Sequence, residues 1–215
     1  MSKVNKILEV GSDGLGIAPY LKRKVTGADI RFRPPFHPLL RKMKASVVKL
    51  PFADSSFDLV ISMDMLEHLS SQDRSIAINE MVRVADKWLL IGVPAGKKAQ
   101  VQDIIFHNYF KEKIGQEYDF FKEQITEGLP KRVEIYKMIK NSAKNYHKKV
   151  DINEQGNENL NLRAFLMRGW ITKNLLVDVF FRKILLFAIP LFRLIDKPPY
   201  YRQLFFVKIK NENRN

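Results

Sequence analysis

The segment Ile7–Gly16, with the sequence ILEVGSDGLG, constrains the fold more than any other part of the chain. It starts with an apolar, partly β-branched run that is typical of a buried strand. Three glycines follow directly, and a helical pattern of apolar residues begins at Ile17. A strand, a glycine turn and a helix in this order open a doubly wound α/β fold, in which glycine lets a ligand approach the backbone. The alternative is a tight strand-to-helix turn that binds nothing.

Later apolar runs predict the other strands of a parallel sheet. They lie at Lys24–Ile30, Ser46–Leu50, Phe57–Met63 and Trp88–Val93. A short turn is predicted over Leu39–Met43, and a helix over Ser71–Val84 with Ser70 or Ser71 as its cap. Strands separated by helices indicate right-handed crossovers. Because ligands bind beyond the carboxyl ends of such strands, we expect a binding site at that edge of the sheet.

Two carboxylates fall at this edge. Glu9 places a charge within the first strand, which suits a cationic or hydroxyl-rich ligand better than a pyrophosphate. Asp29 ends the second strand, about 20 residues after the first, which is the spacing at which an acid meets a ribose in βαβ folds. A carboxylate there can accept hydrogen bonds from both ribose hydroxyls, whereas the alternative is an ordinary turn aspartate.

The later half of the chain has mainly helical periodicity. The apolar positions that fit three helical faces are Val101, Ile104, Ile105 and Tyr109, then Tyr118, Phe121 and Ile125, then Val133, Tyr136, Ile139, Ala143 and Tyr146. We predict a sixth strand at Val150–Asn153, a loop at Glu154–Asn161 and an interrupted helix at Leu162–Leu194. A last strand is predicted at Tyr200–Ile209, followed by a tail, Asn211–Asn215, that should fray.

Composition limits the partners. The chain has no cysteine, which excludes disulfides and thiolate metal sites, and its four histidines lack metal-ligand spacing, so we expect no metal. A formal net charge of +14 favours an anionic partner, namely nucleic acid, an anionic membrane or an acidic substrate, although a solvated basic surface would look the same. With no signal peptide and no long apolar run, we expect a cytoplasmic protein, peripheral at the membrane if it meets one.

The first 95 residues resemble the class I S-adenosylmethionine-dependent methyltransferases, in particular the small-molecule branch that includes the quinone-biosynthesis enzymes. Four segments carry the resemblance in order, which are ILEVGSDGLGIAPYL, VTGADI, LPFADSSFDLVISMDMLEHL and WLLIGVP. The third is the most specific, because its L-P-F, acidic loop, F-D-L-V and L-E-H rarely occur together by chance. The resemblance covers a little under half of the chain.

The resemblance implies that S-adenosylmethionine is the cofactor and assigns residues to it. Glu9 and Gly11 would lie by its methionine part, within a loop that continues through Ser12, Asp13 and Gly14. Asp29 would hold the ribose, and Ile30 would face the adenine. The remaining implied contacts are Ser46 and Val47 at the adenine edge and Ser62 and Met63 near the sulfonium.

Two departures from the family pattern stand out. The family spaces its glycines as G-x-G-x-G, but here Asp13 and Leu15 occupy the second and third glycine positions, and Gly14 and Gly16 are displaced by one. Ser46 also stands where the family commonly has an aspartate, and a hydroxyl accepts a hydrogen bond less strongly than a carboxylate. These departures leave open a non-catalytic relative that binds the cofactor or another protein.

The resulting prediction is an α/β protein with the Rossmann-like class I methyltransferase fold, a mostly parallel seven-stranded sheet with an antiparallel last strand, and a helical insertion as lid. Residues 1–95 would bind cofactor, residues 96–195 would form the insertion and acceptor lid, and residues 196–215 would complete the sheet. The predicted activity is methyl transfer to a small-molecule or lipid-linked acceptor. An RNA methyltransferase is an alternative motivated by charge alone.

His68 is the candidate catalytic residue, because an imidazole titrates near neutrality and this one follows the fourth strand. A structural hydrogen bond at a helix entry is the alternative. The stretch Leu162–Leu194 is too charged to span a bilayer and has three interpretations: peripheral contact with an anionic membrane, a homodimer face, or a lid helix on the sheet. Nucleic acid is less favoured, because aromatic and basic residues do not interleave.

Overall fold

The computed structural model describes residues 4–188, 192 and 196–211. Within them, one seven-stranded sheet has the order β3-β2-β1-β4-β5-β7-β6. Its strands are β1 (Ile7–Val10), β2 (Val25–Asp29), β3 (Leu40–Lys44), β4 (Phe57–Met63), β5 (Ala85–Pro94), β6 (Lys148–Asn159) and β7 (Tyr200–Asn211). The helices are α1 (Ala18–Leu21), α2 (Ser71–Val84), α3 (Lys97–Ile114), α4 (Asp119–Glu127), α5 (Arg132–Asn145), α6 (Leu160–Trp170) and α7 (Leu175–Val179).

The first five strands pair in parallel around β1. Leu8 lies opposite Thr26 of β2 on one side and Val60 of β4 on the other, and all four residues of β1 are buried. The mostly parallel sheet and its antiparallel last strand confirm the predicted fold class. The helix Ser71–Val84 is also confirmed, and its cap is Ser70, whose hydroxyl accepts the Asp73 N–H at 3.1 Å.

The predicted third strand is wrong. Ser46–Leu50 contains only one isolated antiparallel bridge, between Ser46 and Lys49, and the third strand is Leu40–Lys44, where a turn was predicted. The prediction failed because β3 lies at the edge of the sheet, where its Arg41, Lys42 and Lys44 are exposed. An edge strand needs no apolar run, and charges there discourage pairing with other chains.

The predicted loop at Glu154–Asn161 is also wrong. β6 begins at Lys148 and continues to Asn159, and α6 starts at the next residue. This strand is the other edge of the sheet, so polar residues alternate with half-buried ones along most of its length. The last strand is confirmed with two further residues, to Asn211, whereas residues 212–215 of the predicted tail lie outside the described residues.

The chain divides into two compact units. The first contains the described part of Met1–Val93, Val133–Glu154 and Leu204–Asn215, and the second contains the described part of Pro94–Arg132 and Gln155–Gln203. All of α5 after its first residue belongs to the first unit. Its Ile135, Ile139 and Ala143 are buried in the same core as Leu8 and Val60.

In the second unit, α3 turns a different face inward from the predicted one. Ala99, Asp103 and Phe106 are buried, whereas the apolar stripe of Val101, Ile104 and Ile105 is 40–54% exposed. Burying Asp103 is feasible because its Oδ1 lies 2.8 Å from the Arg163 guanidinium of α6.

The predicted helix at Leu162–Leu194 is broken into shorter pieces. α6 ends at Trp170, α7 covers Leu175–Val179, and tighter and looser turns follow to Ala188. The predicted break at Pro190 and the end at Leu194 lie outside the described residues. Within the part of the chain that the structure describes, no helix has the length and apolarity needed to cross a bilayer.

Candidate active site

The glycine loop and the ends of β1, β2 and β3 meet at the carboxyl edge of the sheet. The Gly11 N–H donates to the carbonyl oxygen of Ala28 at 2.9 Å, and the Asp13 N–H donates to Oδ2 of Asp29 at 2.8 Å. The Ala45 N–H donates to the carbonyl oxygen of Asp29 at 2.9 Å. The glycine loop and Asp29, which were predicted to contact different parts of one ligand, are therefore adjacent and joined by hydrogen bonds.

Glu9 brings a buried carboxyl group to this site. Its residue exposure is 6%, and its Oε2 accepts the Ile17 N–H, at the entry of α1, at 2.7 Å. Burial raises the pKa of Glu9 to about 7, with the charge of Asp29 adding to the rise and the Ile17 hydrogen bond opposing it. The group therefore changes charge near neutral pH, and a cationic ligand would favour its ionised form.

Two glycines of the loop make space for side chains of the protein itself. Gly16 has a φ of +53° and lies directly against the Glu9 carboxylate, so that any side chain there would collide with it. Gly11 has a φ of +78° and packs in the same way against the Met65 side chain. The displaced glycine at position 16 is therefore required by the buried Glu9.

Asp13, which stands where the resemblance places the second glycine, takes a left-handed conformation with a φ of +45°. Its carboxylate holds Arg33, because the Arg33 N–H donates to Oδ1 at 2.6 Å and the Arg33 Nε donates to Oδ2 at 2.8 Å. Burial alone would raise the pKa of Asp13, but the hydrogen bonds and charge of Arg33 outweigh it and hold that pKa below its ordinary value. The segment after β2 is thus tied to the glycine loop.

Asp29 retains hydrogen-bonding capacity. Its Oδ2 accepts the Asp13 N–H and its Oδ1 accepts the Arg31 N–H at 3.1 Å, and the residue is only half-buried. An ionised carboxylate offers about four acceptor positions, so two remain for hydroxyl donors. The next residue, Ile30, is 68% exposed and offers an apolar contact. Asp29 and Ile30 therefore fit a ribose and a base in the predicted order.

Of the other predicted contacts, Ser46 and Val47 follow β3, and Ser62 and Met63 end β4. Ser46 is exposed, and Val47 packs partly against the main core. Ser62 is 1% exposed, and its Oγ has no hydrogen-bond partner among the described residues. The Met63 side chain packs closely against Gly92 of β5. A Cβ on residue 92 would collide with it.

His68 ends the short 3₁₀ turn Leu66–His68 that follows β4. Its side chain is 19% exposed, and its Nε2 lies 4.0 Å from Oε1 of the fully buried Glu67. The buried Arg74 fixes this turn by donating from Nε to the Leu66 carbonyl oxygen at 2.8 Å. The imidazole is therefore partly open to solvent, on a turn that Arg74 holds in place.

Sequence reasoning missed Arg33, Met65 and the role of Gly16. The signal for Arg33 was Asp13 itself, because a carboxylate at a glycine position beside a basic loop invites an ion pair. The signal for Gly16 was the charge of Glu9 within a buried strand. No feature of the sequence indicated the contact of Met65 with Gly11, because it depends on how the segment after β4 folds back towards the glycine loop.

Known proteins are similar to part of this chain in sequence. Residues 8–87 match a family model described as a methyltransferase domain. An uncharacterised protein of Methanocaldococcus jannaschii is 36% identical over 70 residues, which make up 32% of this chain and 30% of that relative. The match therefore spans less than a third of the relative's length.

Solved structures are similar over nearly the whole chain. One is a candidate methyltransferase in complex with the Trm112 methyltransferase activator of Haloferax volcanii, with a TM-score of 0.56, 14% identity and coverage of 98% of this chain and 84% of that one. A candidate methyltransferase from an antibiotic-biosynthesis pathway of Anabaena variabilis has a TM-score of 0.56 and 14% identity, covering 95% and 91%. Phosphoethanolamine N-methyltransferase 2 of Haemonchus contortus, in complex with S-adenosyl-L-methionine, has a TM-score of 0.56 and 15% identity, covering 99% and 50%. At these identities the likeness establishes the fold.

Proposed function

We propose that this chain transfers the methyl group of S-adenosylmethionine to a small-molecule or lipid-linked acceptor, because it has the class I methyltransferase fold and its residues 8–87 match a family model described as a methyltransferase domain. The observation that carries this proposal is the meeting of Glu9, Asp29 and the glycine loop at the carboxyl edge of the parallel sheet. Ligands of such sheets bind at this edge. The cofactor is part of the proposal.

The residues at the site fit this cofactor. The free acceptor positions of Asp29 suit the two ribose hydroxyls, and the exposed Ile30 suits the face of an adenine. Glu9, once ionised, supplies negative charge on the side where a methionine ammonium and sulfonium carry positive charge. The fit therefore depends on the charge of Glu9 and on the acceptor positions of Asp29 that no group of the protein occupies among the described residues.

When bound, S-adenosylmethionine supplies a methyl group on a positively charged sulfur, so the leaving group is already activated. The protein's part is to align the acceptor with that carbon and to exclude water. The acceptor atom forms a bond to the methyl carbon as the carbon–sulfur bond breaks, and the electron pair stays on the sulfur. We assign His68 to take the proton that the acceptor loses, since its imidazole is partly open at this edge.

Thermal unfolding with added S-adenosylmethionine or S-adenosylhomocysteine tests cofactor binding. A ligand that binds only the folded state raises the unfolding temperature. Asp29→Asn should remove most of that rise. Asp58→Asn is the matched control, because Asp58 also accepts two backbone N–H groups, from Asn5 and Lys6, but at the opposite end of β1. No rise with either ligand at millimolar concentration would overturn the proposal.

An exposed apolar segment of the second unit supports an amphiphilic acceptor. Leu175 and Leu176 are 74% and 80% exposed, and Ile184 is 55% exposed. Lys173 lies two residues before Leu175, Lys183 lies directly before Ile184, and both lysines are exposed. Apolar side chains between cations are typical of a segment that rests on an anionic membrane surface. We therefore include peripheral membrane contact in the proposal, as the route to a lipid-linked acceptor.

Co-sedimentation with anionic vesicles tests this contact. Binding should be strong at low salt, weaken at high salt, and fall several-fold in Leu175→Asp/Leu176→Asp. Val133→Asp, at a residue of the first unit that is 60% exposed, is the control for added charge. A homodimer that buries the same side chains would instead give a concentration-dependent mass without vesicle binding, and that result would remove the membrane part of the proposal.

A further inference from the structure

A groove of about 800 Å³ lies at the amino-terminal ends of the strands, opposite the glycine loop. The residues that begin or precede β1, β2 and β4 line it, including Ile7, Val25 and Phe57. Its volume is within the range of pockets that bind small molecules. Because cofactor contacts are expected at the carboxyl ends, this groove is a separate feature of the first unit.

The groove exists because two helices are missing from the usual pattern. The connections 30–39 and 45–56, before and after β3, contain no helix. A doubly wound fold covers its sheet with crossover helices at such connections. Three prolines in the first connection, Pro34, Pro35 and Pro38, exclude a regular helix. The face of β2 and β3 that carries Thr26, Arg41 and Met43 is therefore open to a ligand.

Three cations line this groove, and no carboxylate does. They are Lys6, Lys24 and Arg41, all exposed, and among the described residues the structure gives their side chains no ion pair. Strand register brings them together, because Leu8 lies opposite Thr26 and Thr26 lies opposite Arg41. Lys6 lies two residues before Leu8, and Lys24 lies two residues before Thr26. Continued to these residues, the same register sets Lys6 beside Lys24.

The two carboxylates that follow groove residues in the chain, Asp54 and Asp58, each form an ion pair outside the groove lining. Oδ1 of Asp54 lies 2.8 Å from Nη1 of Arg83, and Oδ1 of Asp58 lies 2.6 Å from Nζ of Lys87. The pKa of Asp58 falls to about 2, chiefly through its hydrogen bond with Lys87. Arg83 also pairs with Glu80 at 2.7 Å, and none of these carboxylates lines the groove, so Lys6, Lys24 and Arg41 supply the charge that a ligand in the groove would meet.

Apolar side chains form the rest of the lining. Phe52 and Phe57 pack edge to face with ring centroids 4.9 Å apart, and Met43, Pro51 and Leu39 complete the apolar surface. A small inorganic anion would leave this surface uncovered. A ligand with an anionic group and an apolar body would use both parts of the lining.

We propose that this groove binds a small molecule that carries a phosphate and an apolar chain, with the phosphate held by Lys6, Lys24 and Arg41 and the chain lying on Phe52 and Met43. A phosphate carries up to two charges and three strong acceptor oxygens, which suits several converging donors. The concave apolar lining argues against an extended nucleic-acid surface, which would need a stripe of cations and stacking aromatic residues. This site lies beyond the proposed methyl transfer and does not depend on it.

Calorimetric titration with hexyl phosphate tests the proposal, with inorganic phosphate and hexanol as partial ligands. Hexyl phosphate should bind saturably and more tightly than either part, and added salt should weaken it. Arg41→Gln and Lys24→Gln should each weaken binding about tenfold. Lys42→Gln is the matched control, because Lys42 is the next residue of β3 but stacks on the Phe36 ring, 3.7 Å from its centroid. That variant should change binding less than twofold.

Two outcomes overturn the site. One is no saturable binding of hexyl phosphate at millimolar concentration, and the other is an equal loss in Lys42→Gln, which would mean that only net charge is sensed. Vesicles containing phosphatidic acid distinguish a lipid source from a soluble phosphate ester. The test is made in the Leu175→Asp/Leu176→Asp background, where only a lipid ligand of the groove would give vesicle binding that Arg41→Gln then removes. The thermal shift with S-adenosylmethionine should be unchanged in Arg41→Gln, which separates this test from that of methyl transfer.

Discussion

The carboxylate of Glu9 occupies the space that a side chain on Gly16 would need. Together with the positive φ of residue 16, this contact explains why glycine fits at that position. The Glu9 carboxylate accepts the Ile17 N–H and leaves no room for a Cβ at the preceding residue, Gly16. A change to either residue should therefore be felt by the other.

Gly16→Ala should lower the free energy of unfolding by roughly 2–4 kcal/mol, through its positive φ and the collision with Glu9. Gly115→Ala is the control, because Gly115 also has a positive φ, +83°, but nothing lies within 4 Å of an added Cβ. Its cost should be about 1 kcal/mol. Urea unfolding of both variants gives the comparison, and equal losses would show that Glu9 moves aside freely.

The pKa of Glu9 predicts a pH dependence of stability. The folded pKa of about 7 lies above the unfolded value of 4.5, so between these values the folded state holds the extra proton. The free energy of unfolding should therefore fall as pH rises from about 4.5 to about 7, by an amount on the order of 3 kcal/mol. Glu9→Gln should flatten this part of the profile, and an unchanged slope would refute the assignment.

The same titration predicts the pH dependence of cofactor affinity. A cation bound beside Glu9 requires the ionised form, so the dissociation constant for S-adenosylmethionine should fall as pH rises towards about 7 and then level off. Glu9→Gln should bind more weakly, with little dependence on pH in that range. Calorimetry from pH 5.5 to 8.5 measures both. A profile in the variant that matches the unmodified protein would assign the dependence to another group.

Asp103 and Arg163 should be strongly coupled within the second unit. Both are nearly inaccessible, with the guanidinium 3.5 Å from the centre of the Tyr201 ring. Asp103→Asn would leave that guanidinium buried without its counter-charge, at a cost of about 3–5 kcal/mol. Glu117→Gln, in the exposed pair with Lys111, should leave the free energy of unfolding nearly unchanged. A small loss in Asp103→Asn would mean that water reaches Arg163.

His68→Gln should lower kcat by a factor of about 10² or more, if the imidazole accepts the acceptor's proton. The affinity for S-adenosylmethionine should stay the same, because the residue is assigned to the acceptor and not to the cofactor. The loss should be smaller at high pH, where hydroxide replaces the base. Weaker cofactor binding with an unchanged kcat in His68→Gln would show that His68 has a structural role and is not the base.

The sequence predicts the central strands and the long helix of the first unit well, because these elements are buried and their apolar periodicity is strong. Phe57–Met63 and Ser71–Val84 were predicted with the bounds that the structure gives. The edge strands failed for the opposite reason. Leu40–Lys44 is mostly charged, so its periodicity does not distinguish it from a turn.

The second unit was predicted less well because its buried side chains include charges. A helical face is assigned from apolar residues, and α3 buries Asp103 while it exposes Val101 and Ile105. Only the partner, Arg163, makes that choice favourable, and it lies far along the chain. At the candidate site, the carboxylates Glu9 and Asp29 could be found from spacing, whereas the tie between Asp13 and Arg33 required the folded loop.

The charged edge of the sheet has a consequence for self-recognition. A second copy that paired with β3 would bring Arg41, Lys42 and Lys44 of both chains into one ladder. Like charges placed opposite each other repel, so neither strand exchange nor fibre-like stacking is favoured at this edge. Copies that associate should therefore do so through other surfaces. This edge should not cause aggregation at concentrations at which an apolar edge strand would.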